Sequence, residues 1–385
     1  MSKTSFVIFF SIVVSIYLLI NFYIFLRGWQ ALASLPQYRT AYLVTFCILS
    51  LSFLAGRFLE RVALSWFSSA IVWIGSFWLA VMVYFLLILF CADILRELNR
   101  FISFYPPAGS AAYQRLNIFA FAGIAAAAIV ITIAGFLNAA SPRIKNLDLT
   151  IHKNHQSLKL LNIVAVSDIH LGTIIGKNRL EHLVEKINSL HADVVLLPGD
   201  VVDEDIGPVI KQNLGETLRT IKSKFGVYAI TGNHEYIGGV EAACRYLTEH
   251  GIVMLRDSTA TIDNAVTIVG REDISIKSFA RKQRVPLGEL MKNVDRTKPI
   301  ILLDHQPFHL NEAEEAGVDL QLSGHTHHGQ LWPFNFITKK VYELSWGYLK
   351  KGATHYYVSC GAGTWGPPVR TGNTPEIMNI HLRFE

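Results

Sequence analysis

Four long runs without a single Asp, Glu, Lys or Arg fall within the first 142 residues: Ser5–Leu26, Thr40–Gly56, Val62–Ala92 and Leu116–Pro142. A bilayer core offers no water to backbone N–H and C=O groups, so a segment crossing it closes its hydrogen bonds as a helix, for which roughly 20 apolar residues suffice. The pattern predicts an N-terminal all-α anchor over residues 1–142 with four transmembrane helices, spanning about residues 5–26, 40–56, 66–91 and 117–138. Thr40–Gly56 is the shortest run, and three spans are the alternative. A cleaved signal peptide is the competing reading of the first run, but three more runs follow and no small-residue cleavage signal closes it. Trp29, Tyr38, Trp66, Tyr84 and Tyr105 fall toward run ends, as interfacial aromatics do.

Charge divides the chain in the same place. Residues 1–142 carry eight Lys/Arg against three acids, which accounts for the whole net charge of +5. Residues 143–385 are therefore neutral overall, which argues against a basic nucleic-acid footprint. All 14 histidines follow residue 151, so any imidazole chemistry belongs to that half. The four cysteines, Cys47, Cys91, Cys244 and Cys360, have no metal-type or disulfide-framework spacing. With the N-terminus inside, Lys3, Arg57, Arg61, Arg143, Lys145 and Lys153 flank the cytoplasmic side, against Arg27, Arg39, Arg96, Arg100 and Arg115 outside. That single-charge margin gives the expectation of a multi-pass cell-membrane protein with its C-terminal half in the cytoplasm.

Beyond Ser141-Pro142, a polar link (Arg143–Gln156, within a linker spanning 143–157) is expected to lead into a folded domain over residues 158–385. Strand candidates are Leu158–Val166, Val194–Leu197, Val227–Ile230, Ile252–Leu255, Val266–Val269, Ile300–Leu303, Asp319–Leu322, Tyr356–Ser359 and Ile377–Leu382. Helical patterns at Arg179–Leu190, Val240–His250 and Leu287–Val294 alternate with them, which argues an α/β domain built on a core sheet.

Five short motifs fall where these strands end: Asp168-x-His170, Gly199-Asp200-x-x-Asp203, Gly232-Asn233-His234-Glu235, His305 and Gly324-His325-x-His327. Each alone has a structural reading as a turn, an Asx turn or a surface histidine tract. Together they supply seven oxygen and imidazole donors, Asp168, His170, Asp200, Asn233, His305, His325 and His327. That donor set suits Mn, Fe, Zn or Mg, and its number suits two ions about 3.5–4 Å apart sharing a carboxylate.

In these motifs the sequence resembles the calcineurin-like metallophosphoesterase family over about residues 158–383. Gly324-His325-Thr326-His327-x-Gly329-Gln330, Gly363-Thr364-Trp365-Gly366-Pro367-Pro368-x-Arg370 and Pro375-Glu376-Ile377 resemble its membrane-attached bacterial branch. The resemblance implies an α/β domain of two β-sheets flanked by helices and two divalent ions as cofactors, manganese first, with iron, zinc and magnesium as alternatives. One ion would be held by Asp168, His170, Asp200 and His327, the other by Asp200, Asn233, His305 and His325. His234 would stabilise charge or protonate the leaving oxygen, and Asp203 would orient it, unless Asp203 is a loop cap. Arg370 either clamps a substrate phosphate or pairs with a surface acid. His328 departs from the family, where glycine is usual, and could alter the pocket or add a polar contact.

The implied activity is phosphodiester or pyrophosphate hydrolysis, and four spans suggest a lipid-linked substrate held at the bilayer, of the UDP-diacylglucosamine type. Lys277–Arg284 would face anionic headgroups or be a solvated loop. Trp332, Pro333, Phe334 and Phe336 would form an apolar rim for acyl chains or domain core. The rival functions are a nuclease or nucleotide phosphodiesterase and a non-catalytic membrane scaffold, though no nucleic-acid partner is expected.

Overall fold

The computed structural model describes residues 3–99, 101–153 and 158–385, excluding the side chains of residues 3–7 and 9. The Lys3 side chain, Arg100 and the end of the Arg143–Gln156 segment, from residue 154, lie outside the described residues. Two compact units result, Met1–Leu137 with Gly366–Val369, and Asn138–Trp365 with Arg370–Glu385.

The first unit is built from α1 (Lys3–Ala31), α2 (Arg39–Val62), α3 (Trp66–Leu98) and α4 (Ala111–Ala139), whose last two residues belong to the second unit. All four are long and apolar enough to cross a membrane. The shortest predicted span is extended to Arg39–Val62 by charged residues at its end, Arg57, Glu60 and Arg61. Ser65 starts α3 with a reciprocal cap: its hydroxyl accepts from Ser68 N at 3.1 Å, and Ser68 Oγ accepts from Ser65 N at 2.9 Å. Hydrocarbon gives helices no hydrophobic reason to associate, so close backbone approach and buried polar contacts hold such bundles together. Both occur here. A Cβ on Gly75 would lie 2.4 Å from the Phe53 backbone, and Trp78 Nε1 donates to Asn21 Oδ1 at 2.9 Å.

The second unit is a sandwich of two six-stranded sheets. Its strands are β1 (Arg143–Ile151), β2 (Leu160–Ala165), β3 (Val194–Leu197), β4 (Val227–Ala229), β5 (Ile252–Met254), β6 (Ser258–Ile262), β7 (Val266–Gly270), β8 (Ile300–Leu303), β9 (Leu320–Ser323), β10 (Gly347–Lys351), β11 (Thr354–Val358) and β12 (Glu376–Phe384). One sheet has the order β1-β12-β2-β3-β4-β5, the other β10-β11-β9-β8-β7-β6. Leu161, Ile163, Leu196, Ile301, Leu303, Leu320, Leu322, Ile380 and Leu382 fill the space between them. The alternate residues of β8, Ile300 and Leu302, pack on the opposite face with Leu287 and Leu310. A strand covered on both faces has no polar side, which is why β8 is a continuous apolar run. The apolar stripe of α5 (Lys177–Ser189), Leu180, Leu183, Val184 and Ile187, is likewise buried.

Three expectations need correction. Arg143–Gln156 is not simply a link: Arg143–Ile151 is an edge strand, parallel to β12 in the register Arg143↔Glu376 to Ile151↔Phe384. Its charged residues Arg143, Lys145 and Asp148 are exposed, while Leu149 and Ile151 enter the core, so the alternation was half hidden by charge. The strands β6 and β10 were also unforeseen, being short and alternating exposed with half-buried residues. The helical pattern Leu287–Val294 forms only Leu287–Leu290.

The parallel runs β2-β3-β4 and β9-β8-β7 matter most for function. Ligand sites of α/β folds gather in the loops beyond the carboxyl ends of such strands.

Candidate active site

Asp168 and His170 follow β2, Asp200 follows β3, and Asn233 and His234 open the short helix Asn233–Gly238 after β4. His305 follows β8, and His325 and His327 follow β9. Backbone hydrogen bonds knit these loops together. Asp168 N donates to Gly199 O at 3.2 Å, His170 N to Asp200 O at 3.0 Å, and Gly324 N to His305 O at 2.9 Å. Asp168 Oδ1 accepts from His325 N, and Asp200 Oδ1 from His234 N, both at 2.8 Å. Each carboxylate is thereby fixed by a neighbouring loop. Asp168, His170, Asp200, His325 and His327 all adopt left-handed backbone, with φ from 45° to 72°. Such clustering of sparsely populated conformations at non-glycine residues is characteristic of sites that the surrounding fold holds in place. Two motif glycines permit the approach. A Cβ on Gly324 would lie 1.8 Å from Ser167 Oγ, and one on Gly232 would lie 2.1 Å from Asp200 Oδ1.

The seven predicted donors converge in two groups. His170 Nε2 and His327 Nε2 are 2.9 Å apart, and Asp168 Oδ1 is 3.5 Å from His327 Nε2. Asn233 Oδ1 lies 2.8 Å from His325 Nδ1 and 3.3 Å from His305 Nε2. Asp200 Oδ2 faces both groups, 3.1 Å from His305 Nε2 and 3.9 Å from His170 Nε2. Imidazole nitrogens that point at one another in a buried space need a proton or a cation between them. Side chains at Asp168, His170 and His327, and again at Asp200, His305 and His325, come close enough to hold a metal ion. His305 Nδ1 lies 2.8 Å from Pro198 O. A donated proton there fixes the tautomer and turns Nε2 toward Asp200, the usual outer support of a ligating histidine.

Electrostatics divides the imidazoles. Burial, with the neighbouring His305, pushes His325 down to about 3. Burial together with His170 and Arg370 pushes His327 well below its ordinary range. Both are neutral at physiological pH, with a lone pair to offer. For His305 burial opposes protonation, but the Asp200 carboxylate outweighs it and raises the pKa. His234 follows the same logic: burial lowers its pKa, yet Asp200 and Asp203 lift it to about 9. Its Nδ1 lies 3.0 Å from Asp203 Oδ1, so Asp203 faces His234.

Arg370 is neither at the surface nor free for a phosphate. It is completely buried. Nε and Nη2 donate to Gly363 O at 2.9 and 2.6 Å, Nη1 to Asn373 Oδ1 at 2.5 Å, and Nη2 lies 3.1 Å from His327 Nδ1. It thereby fixes Asn373, which donates to the His327 carbonyl, and the substrate clamp expected from the sequence is corrected. His328 has a φ of 44°, which accounts for the family's glycine, and its buried ring contacts Ser345 and Trp346 instead of the seven donors. Sequence reasoning gave no role to Glu235, whose buried carboxylate accepts from Asp200 N, Val202 N and Gly232 N at 3.2, 2.8 and 2.7 Å. Nor did it single out Asn373, which donates to the His327 carbonyl. Glu235 was visible as the last letter of its motif; Asn373 carried no local signal.

Two aromatic rings flank the site. The Trp365 ring is 6.1 Å from His234 and 52% exposed, and the Tyr342 ring is 6.1 Å from His325. Trp332, Phe334, Phe336, Ile337 and Val341 are exposed, so this segment is not core. In Lys277–Arg284, Lys277, Arg281 and Lys282 are exposed, whereas Arg284 pairs with the buried Asp304 at 2.8 Å.

The model of the calcineurin-like phosphoesterase family matches residues 161–329, the stretch that carries all seven donors. An uncharacterized metallophosphoesterase of Aquifex aeolicus is 32% identical over 225 residues, covering 58% of this chain and 85% of its own length. The chain belongs to the calcineurin-like metallophosphoesterase family. This metallophosphoesterase is also 35% identical over 248 residues to an uncharacterized metallophosphoesterase of Helicobacter pylori, covering 63% of this chain and 64% of that one. It is 32% identical over 270 residues to a "transmembrane protein with metallophosphoesterase domain" of Danio rerio, covering 66% and 60%. It thus spans less than two thirds of the length of these last two relatives. Animal as well as bacterial proteins are among its relatives, so the likeness is not confined to a bacterial branch.

Proposed function

We propose that this chain is a membrane-bound phosphoesterase that uses two divalent cations to hydrolyse a phosphodiester or pyrophosphate bond in a lipid-linked substrate. The observation that carries the reading is Asp200, whose Oδ2 faces two groups of buried donors at once. Asp168, His170, Asp200 and His327 fit one ion, and Asp200, Asn233, His305 and His325 the other. The chemistry of the set, carboxylate, amide oxygen and imidazole without thiolate, fits manganese and also iron, zinc or magnesium. When bound, such a pair makes hydroxide available near neutral pH and polarises the phosphoryl oxygens for in-line attack. The chain's own part is positional. Asp200 is held by His234 N and by the Glu235 loop, and His234, aimed by Asp203, serves as the acid toward the leaving oxygen.

The exposed aromatic surface supports a lipid substrate. A domain acting on a water-soluble ester gains nothing from Trp332, Phe336, Ile337, Val341 and Trp365 in solvent, whereas acyl chains beside the reacting phosphate would cover them. The proposed setting is the cell membrane with the catalytic domain on the cytoplasmic side. The test is release of nucleotide or phosphate by purified, Mn-loaded protein from nucleotide-linked and glycerol-based lipids of the UDP-diacylglucosamine type, beside oligonucleotides. Turnover of lipids and loss of activity in Trp365→Ala on lipids, but not on bis-p-nitrophenyl phosphate, is expected. Equal turnover of oligonucleotides at physiological salt would overturn the lipid assignment.

A further inference from the structure

The helical unit contains a second built site. A cavity of about 580 Å³ opens at the end where α1 and α3 finish and α4 begins. Its lining includes Arg27 and Gln30 of α1, Asp93 and Arg96 of α3, and Asn117 of α4. Asp93 is gripped by both arginines: Oδ2 accepts from Arg27 Nη2 and from Tyr23 Oη, and Oδ1 accepts from Arg96 Nη1 at 2.9 Å. Arg27 Nη1 donates to Gln30 Oε1 at 3.0 Å, and Arg96 Nη2 to Asn117 Oδ1 at 3.4 Å. Each guanidinium carries five N–H groups and has two acceptors among the described residues. The remaining donor capacity in a polar chamber suits an oxygen-rich ligand.

Directly against this cavity lies a second one of opposite character, of about 470 Å³, lined by residues including Ile24, Phe46, Ile74, Phe85 and Ala125. Phe121 lines both. Along α3 the apolar groove runs from Phe85 to Ile74. At the helical rise that is about 16 Å, half of a hydrocarbon core of about 30 Å. A polar chamber at the end of the bundle, joined to an apolar groove one leaflet deep, matches a molecule with a phosphate head and an acyl tail.

We propose that the bundle binds one membrane glycerophospholipid, its phosphodiester beside the Arg27 and Arg96 side chains that line the polar chamber and one acyl chain along the groove past Phe121. Asp93 and Glu97 balance the two arginines in the lining, so hydrogen bonding to phosphate, not net headgroup charge, selects the ligand. This assignment does not depend on the catalytic reading.

The test is native mass spectrometry of the detergent-purified full chain titrated with phosphatidylethanolamine, phosphatidylglycerol and diacylglycerol, with glycerol 3-phosphate as the headgroup alone. Both phospholipids are expected to give one retained adduct at similar affinity, and diacylglycerol to bind at least about tenfold more weakly, the equivalent of one lost charge-assisted hydrogen bond. Arg96→Gln and Ala125→Phe, which attack opposite ends of the site, are each expected to weaken retention about tenfold. Asn117→Leu removes a lining group outside the Arg27–Asp93–Arg96 ion pairs and guards against an unfolded Arg96 variant; its expected weakening is about threefold. Equal retention of diacylglycerol, unchanged retention in both Asn117→Leu and Ala125→Phe, or binding of glycerol 3-phosphate as tight as that of the lipids would overturn the proposal.

Discussion

Arg370→Met separates the phosphate clamp expected from the sequence from the support of His327 that the fold gives this residue. Methionine keeps the length and apolar stem but cannot donate to Gly363 O or Asn373 Oδ1, which accept from the guanidinium at 2.9, 2.6 and 2.5 Å. Each acceptor stranded away from water costs about 1–3 kcal/mol. Removing a charge whose burial is itself unfavourable offsets part of that, which leaves about 2–3 kcal/mol of lost stability. The larger effect is expected on metal. Arg370 fixes Asn373, which donates to the His327 carbonyl and so holds the backbone of that donor. Loss of such outer support typically weakens metal affinity about 10–100-fold. The assay is manganese titration with metal analysis, beside kcat and KM on bis-p-nitrophenyl phosphate. Activity should return toward the parent value as manganese is raised, with KM little changed. A raised KM at unchanged metal affinity would mean that Arg370 grips phosphate after all, and would refute the argument from its burial.

Asp200→Asn is expected to lower metal content from two ions to one or none and to abolish hydrolysis while the domain still folds, as read by metal analysis and circular dichroism. His234→Asn should reduce kcat by about 10²–10⁴ with both ions retained, and Asp203→Asn should reduce it less, because it loses only the orientation of that ring. Gly324→Ala drives a methyl group to within 1.8 Å of Ser167 Oγ and 2.2 Å of Asp168 Oδ2. A substitution that is mild elsewhere should therefore lower both metal affinity and melting temperature; parent-like behaviour in a manganese titration would show that the loop yields.

Where one physical requirement acts on neighbouring residues, the sequence was readable. Charge-free runs marked all four long helices, and continuous apolar runs marked β3 and β8, which are buried throughout. The motif residues were readable because close approach demands glycine beside a donor. What stayed hidden depends on distant partners. β1 is a strand only because β12, more than 200 residues away, supplies its ladder. Arg370 looked like a phosphate clamp because an arginine in a Gly/Pro-rich loop is normally exposed, and only the fold wraps Gly363 and Asn373 around it. Glu235 shows the same limit: its motif position was plain, but the three backbone N–H groups it collects come from residues on two loops.

Those loops link metal binding to stability. Five donors in left-handed backbone cost free energy in the metal-free protein. The unfolded chain cannot gather donors from β2, β3, β4, β8 and β9 at once, so cations bind almost solely to the folded state. At 100 times the dissociation constant that linkage contributes about 2.7 kcal/mol, and at about 2–4 °C per kcal/mol for a domain of this size the melting point should rise by roughly 5–10 °C. Thermal unfolding followed by tryptophan fluorescence, with manganese against chelator, measures the shift. Asp200→Asn should lose most of it, because Asp200 Oδ2 is the atom both donor groups share. An equal shift in the parent and in Asp200→Asn would place the stabilising cation elsewhere and remove the physical basis for a two-ion site at this edge of the sandwich.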